Sequence, residues 1–146
     1  MSVAKFVSKR LLGHPQGINK KLYREAISIQ AENYMSSILS KRRKELKQKY
    51  YLRAVEKTDK AVSLLYSLGA AEVYIFGSLL HPEVFDEMSD VDIYVQGLTQ
   101  EKRKGLFTSL EEIFGEITFD LLFDDDSMRP EIIEKIKKEG KLWKPS

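Results

Sequence analysis

Three aspartates set into apolar runs, beside a glycine-serine bend, are the residues whose types and spacing could do chemistry. The runs are Val73-Tyr74-Ile75-Phe76-Gly77-Ser78, then, after an eleven-residue gap, Asp90-Val91-Asp92, and later Ile117-Thr118-Phe119-Asp120-Leu121. Asp90 and Asp92 are two apart on a predicted strand, so both side chains point to one face with positions roughly 7 Å apart. Asp120 has the opposite parity from Phe119 and Leu121 and turns away from the apolar layer. If the second and third strands are neighbours, three carboxylates converge. Unneutralised, they repel and one holds a proton near neutral pH. A hard divalent cation such as Mg²⁺ reverses that balance and leaves positions for phosphate oxygens and water.

Phosphoryl and nucleotidyl transfer need such a patch, since two ions about 3.5–4 Å apart clamp the attacking and leaving oxygens of an in-line displacement. In that chemistry Asp90 and Asp92 hold ions on a triphosphate. Asp120 holds the ion that activates an acceptor hydroxyl and accepts its proton. Gly77 lets the backbone approach a phosphate, and the Ser78 hydroxyl can bond to it. Each piece alone has a blander reading: a glycine-serine pair is usually a turn, and an Asp-x-Asp usually a solvated strand end. The ordered combination carries the expectation.

The elements that must position these groups follow from periodicity. Proline and glycine are absent from Asn19 to Leu68, so helix dominates there, expected as two or more helices. Its clearest stripe is Ala61, Leu64, Leu65 and Leu68, ended by Gly69. Glu72–Phe76 reads as a strand, followed by a loop through Met88. Val91, Ile93 and Val95 alternate with Asp90, Asp92 and Tyr94 as a second strand. Thr99 is placed to cap a helix reaching about Phe114, with Leu106, Leu110 and Ile113 inward. Ile117, Phe119, Leu121 and Phe123 alternate as a third strand. Pro130 opens a last helix bearing Ile132, Ile133 and Ile136, closed by Gly140. This is an α+β (α/β-like) layout behind a helical N-terminal region. Residues 1–60 are expected to be a flexible arm and helical extension, and residues 61–146 the domain that carries the site.

Composition narrows the function classes. The 146 residues, 42% hydrophobic and 32% charged, suit one soluble globular domain. Cysteine is absent, which excludes disulfides and thiolate metal sites. No apolar stretch approaches the ~20 residues that span a bilayer, and no signal peptide is legible, so the cytoplasm is expected. Residues 1–60 hold 15 Lys and Arg against 5 Asp and Glu, a balance of +10, while residues 61–146 hold 9 against 17, a balance of −8. A basic arm joined to an acidic domain suits nucleic acid or an acidic partner, and equally a solvated helix face. Within it, Lys41-Arg42-Arg43-Lys44, Lys47 and Lys49 can grip RNA phosphates with Tyr50 and Tyr51 stacking on bases; the alternative packs the tyrosines inward. Asp124-Asp125-Asp126 reads as an acidic loop before the last helix or as an extra metal site. Trp143 is expected to rest against the last helix.

Together the motifs resemble the nucleotidyltransferase superfamily that includes DNA polymerase β, in its smallest form, the minimal nucleotidyltransferases (MNT). Phe76-Gly77-Ser78 followed by Ser89-Asp90-Val91-Asp92-Ile93-Tyr94-Val95 resembles the Gly-Ser, spacer, Asp-hydrophobic-Asp signature. Phe119-Asp120-Leu121 resembles the strand of the third carboxylate, and Lys138-Glu139-Gly140-Lys141-Leu142-Trp143 the Glu-Gly-x-x-aromatic tail. The match runs from Tyr66 to Trp143. It implies a small mixed β-sheet packed against helices, Gly77 and Ser78 on the phosphates of ATP, Asp90 and Asp92 on metal ions, and Asp120 as metal ligand and general base. Small members commonly act as the antitoxin of a HEPN-domain toxin, which implies AMP transfer from MgATP to a tyrosine hydroxyl of that partner. Other readings are an antitoxin acting by direct binding without catalysis, and transfer to RNA or a small molecule. An oligomer is compatible with either. Leu79-Leu80-His81-Pro82 stands where many members carry Ala-Arg-Gly, so an arginine partner for the triphosphate is missing, and His81 is the available substitute.

Overall fold

The computed structural model describes residues 19–125 and 127–145. The arm expected over residues 1–18, and Asp126 of the acidic run, lie outside the described residues. The chain divides into two units, Met1–Leu46 and Lys47–Ser146.

A single helix, α1 (Lys20–Ser67), replaces the two or more helices expected. The physical reason is in the sequence: with no proline or glycine between Asn19 and Leu68, nothing interrupts the i→i−4 ladder. Asn19 starts it, its side-chain oxygen accepting from the Lys21 N–H at 2.9 Å and its carbonyl from Tyr23 at 2.9 Å. In the first unit the helix keeps Leu22, Ile29, Met35, Ile38, Leu39 and Leu46 exposed. In the second unit Ala54, Thr58, Ala61, Val62 and Leu65 are fully buried. Thr58 satisfies its buried hydroxyl by donating to the Ala54 carbonyl at 2.7 Å. The helix ends where Ala70 N–H returns to the Leu65 carbonyl at 3.1 Å.

The rest of the second unit is built on a four-stranded mixed sheet with two further helices, which makes the fold α+β. Its strands are β1 (Glu72–Phe76), β2 (Val91–Gln96), β3 (Phe119–Phe123) and β4 (Lys141–Leu142), in the order β3-β2-β1-β4. The β1–β2 pair is antiparallel, with Phe76 opposite Asp92; β2–β3 is parallel, with Asp92 opposite Asp120. Strand β4 was not expected from sequence. It adds to the other side of β1, with Ile75 opposite Lys141. The alternating apolar residues Val73, Ile75, Val91, Ile93 and Val95 are fully buried and join Leu65, Leu110 and Phe114 in one core. That burial is the main force holding the sheet.

Helix α2 (Leu106–Phe114) buries Leu106, Leu110 and Phe114, but it does not begin at Thr99 as expected. Thr99 instead precedes a short 3-10 turn, Gln100–Arg103, and its side chain makes no cap hydrogen bond. Gly105, at φ 73°, then breaks the run. Helix α3 (Pro130–Glu139) starts at Pro130 as expected and buries Ile136. Trp143 docks on α1 rather than on the last helix: its indole N–H donates to Asp59 at 2.6 Å and its carbonyl accepts from the Tyr66 hydroxyl at 2.9 Å. No helix among the described residues is long and apolar enough to cross a membrane.

Candidate active site

The site lies where β1 ends and β2 begins. Strand period two puts Asp92 on the sheet face away from the buried Val91 and Ile93, and the parallel register brings Asp120 beside it. Asp92 is half-buried, whereas Asp90 and Asp120 are exposed. Loss of hydration, then the negative charges of Asp120 and Asp90, push the Asp92 carboxyl up from 3.8 to about 6. Asp90 and Asp120 are thus both close enough to act on the half-buried Asp92.

Gly77 completes the other side. Its φ is 75°, and a Cβ there would overlap Asp92 Oδ2 and lie 3.3 Å from Cγ. Only glycine lets the backbone lie against that carboxylate. It opens a 3-10 turn, Gly77–Leu80, anchored by the buried Leu79. The Ser78 hydroxyl donates to the Asp90 carbonyl at 3.4 Å, a long bond that a phosphate oxygen can displace.

Asp90 just precedes β2, and its Oδ1 accepts a hydrogen bond from the Thr118 hydroxyl. Thr118 also accepts the Val91 N–H on its carbonyl at 2.9 Å, so one residue ties both the strand and the carboxylate. Sequence reasoning missed Thr118. Its signal was only that it stands two residues before Asp120, as Asp90 does before Asp92.

Other candidates fall elsewhere. His81 is exposed, with Nδ1 3.8 Å from a Glu83 carboxylate oxygen. Asp124 accepts the Gly97 N–H at 3.2 Å. Asp125 accepts the Ser127 hydroxyl and, at 3.1 Å, the Ser127 N–H, and these two bonds hold its carboxyl below its usual range. Both carboxylates therefore close turns after the strands. Tyr50 stacks on Phe85 at 5.9 Å and Tyr51 meets it edge-on at 6.1 Å, the inward alternative of the two considered.

The donor set of the site is all carboxylate oxygen, suited to a hard cation rather than a thiophilic one. The crowding at Asp92 and the glycine cradle beside it fit such an ion. Among the described residues no group of three or more acidic or histidine side chains is arranged to hold a metal by itself. An ion here would take its remaining oxygens from phosphate and water.

No protein-family model matches the chain, and no curated protein matches it. Among solved structures, a similar chain is a Sulfolobus solfataricus protein provisionally described as a nucleotidyltransferase. It is 23% identical, with 67% of this chain and 86% of that one covered, at a TM-score of 0.44. A likeness at that level leaves the site to be judged on its own geometry.

Proposed function

We propose that the chain is a metal-dependent nucleotidyltransferase that moves AMP from ATP to a protein hydroxyl. The observation that supports this best is the crowding of Asp90, Asp92 and Asp120 on one sheet face against the bare backbone of Gly77. Asp90 and Asp92 would hold one Mg²⁺, and Asp92 with Asp120 a second; bound there, the ions neutralise the carboxylates and the developing phosphate charge. Gly77 and Ser78 seat the triphosphate beside Asp92. Thr118 fixes how Asp90 faces the site. Asp120, on the β3 side of the site, accepts the proton of the attacking hydroxyl. The hydroxyl oxygen bonds to the α-phosphorus, the α–β phosphoanhydride bond breaks, and pyrophosphate leaves.

The finer reading is that the acceptor is a tyrosine of a HEPN-type toxin, with this chain as its antitoxin. Exposed Leu22, Ile29, Met35, Ile38, Leu39 and Leu46 along one helix suit a protein partner, because water-exposed apolar residues in such number favour a docked surface. Incubation with α-labelled ATP, Mg²⁺ and the protein encoded beside this one tests it. Label should appear on the partner and vanish when Asp90→Asn and Asp92→Asn are combined. Neutralisation of the partner that survives the double change would instead favour direct binding without catalysis.

A further inference from the structure

Strand β3 is the edge of the sheet, and its outer side is unpaired. Val91 N–H donates to the Thr118 carbonyl at 2.9 Å and Asp124 N–H to the Val95 carbonyl at 3.3 Å. In a parallel ladder that phase turns the backbone groups of Thr118, Asp120, Leu122 and Asp124 toward β2. Phe119, Leu121 and Phe123 therefore turn their N–H and C=O groups outward, where no strand follows. Among the described residues those outward groups have no hydrogen-bond partner.

A cleft of about 340 Å³ runs along this edge, lined by Phe119, Leu121 and Phe123 on one side and by Arg103, Leu106 and Phe107 on the other. Asp120 also lines it. Arg103 lies 3.9 Å over the Phe123 ring and is held there by two hydrogen bonds to the Leu98 carbonyl, at 3.0 and 3.1 Å. Phe107, 56% exposed, packs on Phe119 with ring centres 5.2 Å apart. The groove thus has an aromatic end near Asp120 and a cationic end at Arg103, flanked by Lys102 and Lys104.

Edges of this kind are usually blunted by proline, lysine or a bulge. Phe119–Phe123 has none of the first two, and its single charge is Asp120. In-line displacement places attacking and leaving oxygens on opposite sides of phosphorus. A triphosphate at Gly77 and Ser78, on the β1 side of Asp92, leaves the β3 side for the attacking hydroxyl.

We propose that the outer edge of β3 seats an extended segment of the acceptor protein, added as a strand along Phe119–Phe123 with its hydroxyl side chain presented to Asp120. A strand added there lies about 4.8 Å from β3, so a side chain on the Asp120 face comes directly beside that carboxylate. Its neighbours in sequence turn toward Phe107 and Leu121, and an acidic residue near the far end meets Arg103. The proposal rests on the transfer reading of the acidic site, and names how the substrate is held.

The test uses the full chain and a nine-residue peptide with tyrosine at its centre, valine and threonine alternating outward, and aspartate at both ends. A control peptide is N-methylated at alternate residues and cannot pair as a strand. With saturating peptide, amide hydrogen exchange at Phe119, Leu121 and Phe123 should slow tenfold or more, and the control should have no such effect. Leu121→Pro removes one outward N–H without touching the ladder to β2 and should weaken the peptide tenfold or more. Phe107→Ser, on an exposed position, should weaken it as well and guards against misfolding of the proline variant. Equal binding of the methylated peptide, no saturable binding, or unchanged exchange at the three amides overturns the proposal. So does slowed exchange without peptide that grows with protein concentration, which would assign the edge to a second copy. The same peptide with labelled ATP and Mg²⁺ separates the two ideas. Label without protection removes the groove and keeps the transfer reading; protection without label does the reverse.

Discussion

At the scale of single residues, Asp92 is the group on which the site turns. Its carboxyl titrates near 6 because burial and two neighbouring carboxylates oppose its charge. The folded pKa is raised, so between about 4 and 6 the native state binds more protons than the unfolded chain. Stability therefore falls as pH rises through that window. In chelator, the wild-type unfolding temperature should drop between pH 4.5 and 7.5, and Asp92→Asn should flatten the profile. Because the group is half-exposed, screening discounts the gain at pH 7.5 to about 1 kcal/mol, or about 3 °C. A variant that melts below wild type at pH 7.5 would show that Asp92 is not strained. Gly77 carries a second prediction. Gly77→Ala forces a side chain into the left-handed region and onto the Asp92 carboxylate. It should cost roughly 1–2 kcal/mol in denaturant unfolding and abolish Mg-ATP binding by calorimetry. Tight binding that persists in this variant would remove the cradle from the site.

At the scale of elements, the short strand β4 and Trp143 after it close the sheet onto α1. Trp143 N–H donates to the Val73 carbonyl at 2.8 Å, while its indole and carbonyl reach Asp59 and Tyr66. Trp143→Phe keeps an aromatic ring but strands the Asp59 carboxylate. The expected loss is about 1–2 kcal/mol by chemical unfolding, and none would mean the indole bond contributes nothing. The last helix and Gly140 were legible because proline and glycine punctuate the chain locally. Strand β4 was not, because two residues carry no period; their pairing depends on a β1 edge some seventy positions earlier. The 3-10 break before α2 was missed for a related reason. Thr99 is a good cap by type, yet Gly105 and the apolar stripe from Leu106 decide where the helix starts.

At the scale of the whole molecule, charge and apolar surface are unevenly distributed along the chain. The basic balance of the first sixty residues and the exposed apolar residues of α1 fall on the same stretch of sequence. Changing Ile38 and Leu39 together to Lys should leave the unfolding temperature within about 1 °C, since both are exposed and surface changes are usually small. Capture of the neighbouring protein in a pull-down should fall tenfold or more. Undiminished capture would remove these residues from the proposed docking surface.

The sequence by itself determined the faces. Strict alternation through Val91, Ile93 and Val95, and through Phe119, Leu121 and Phe123, commits one side of each strand to the core and leaves the aspartates on the other. That commitment is local, because strand side chains repeat every two residues. Only the tertiary structure decided which residues on those faces meet. The parallel register that sets Asp92 beside Asp120, the hydroxyl of Thr118 on Asp90 and the backbone of Gly77 against Asp92 all join segments separated by loops and a helix. Such alignments are fixed by how the elements pack together, which local periodicity does not specify.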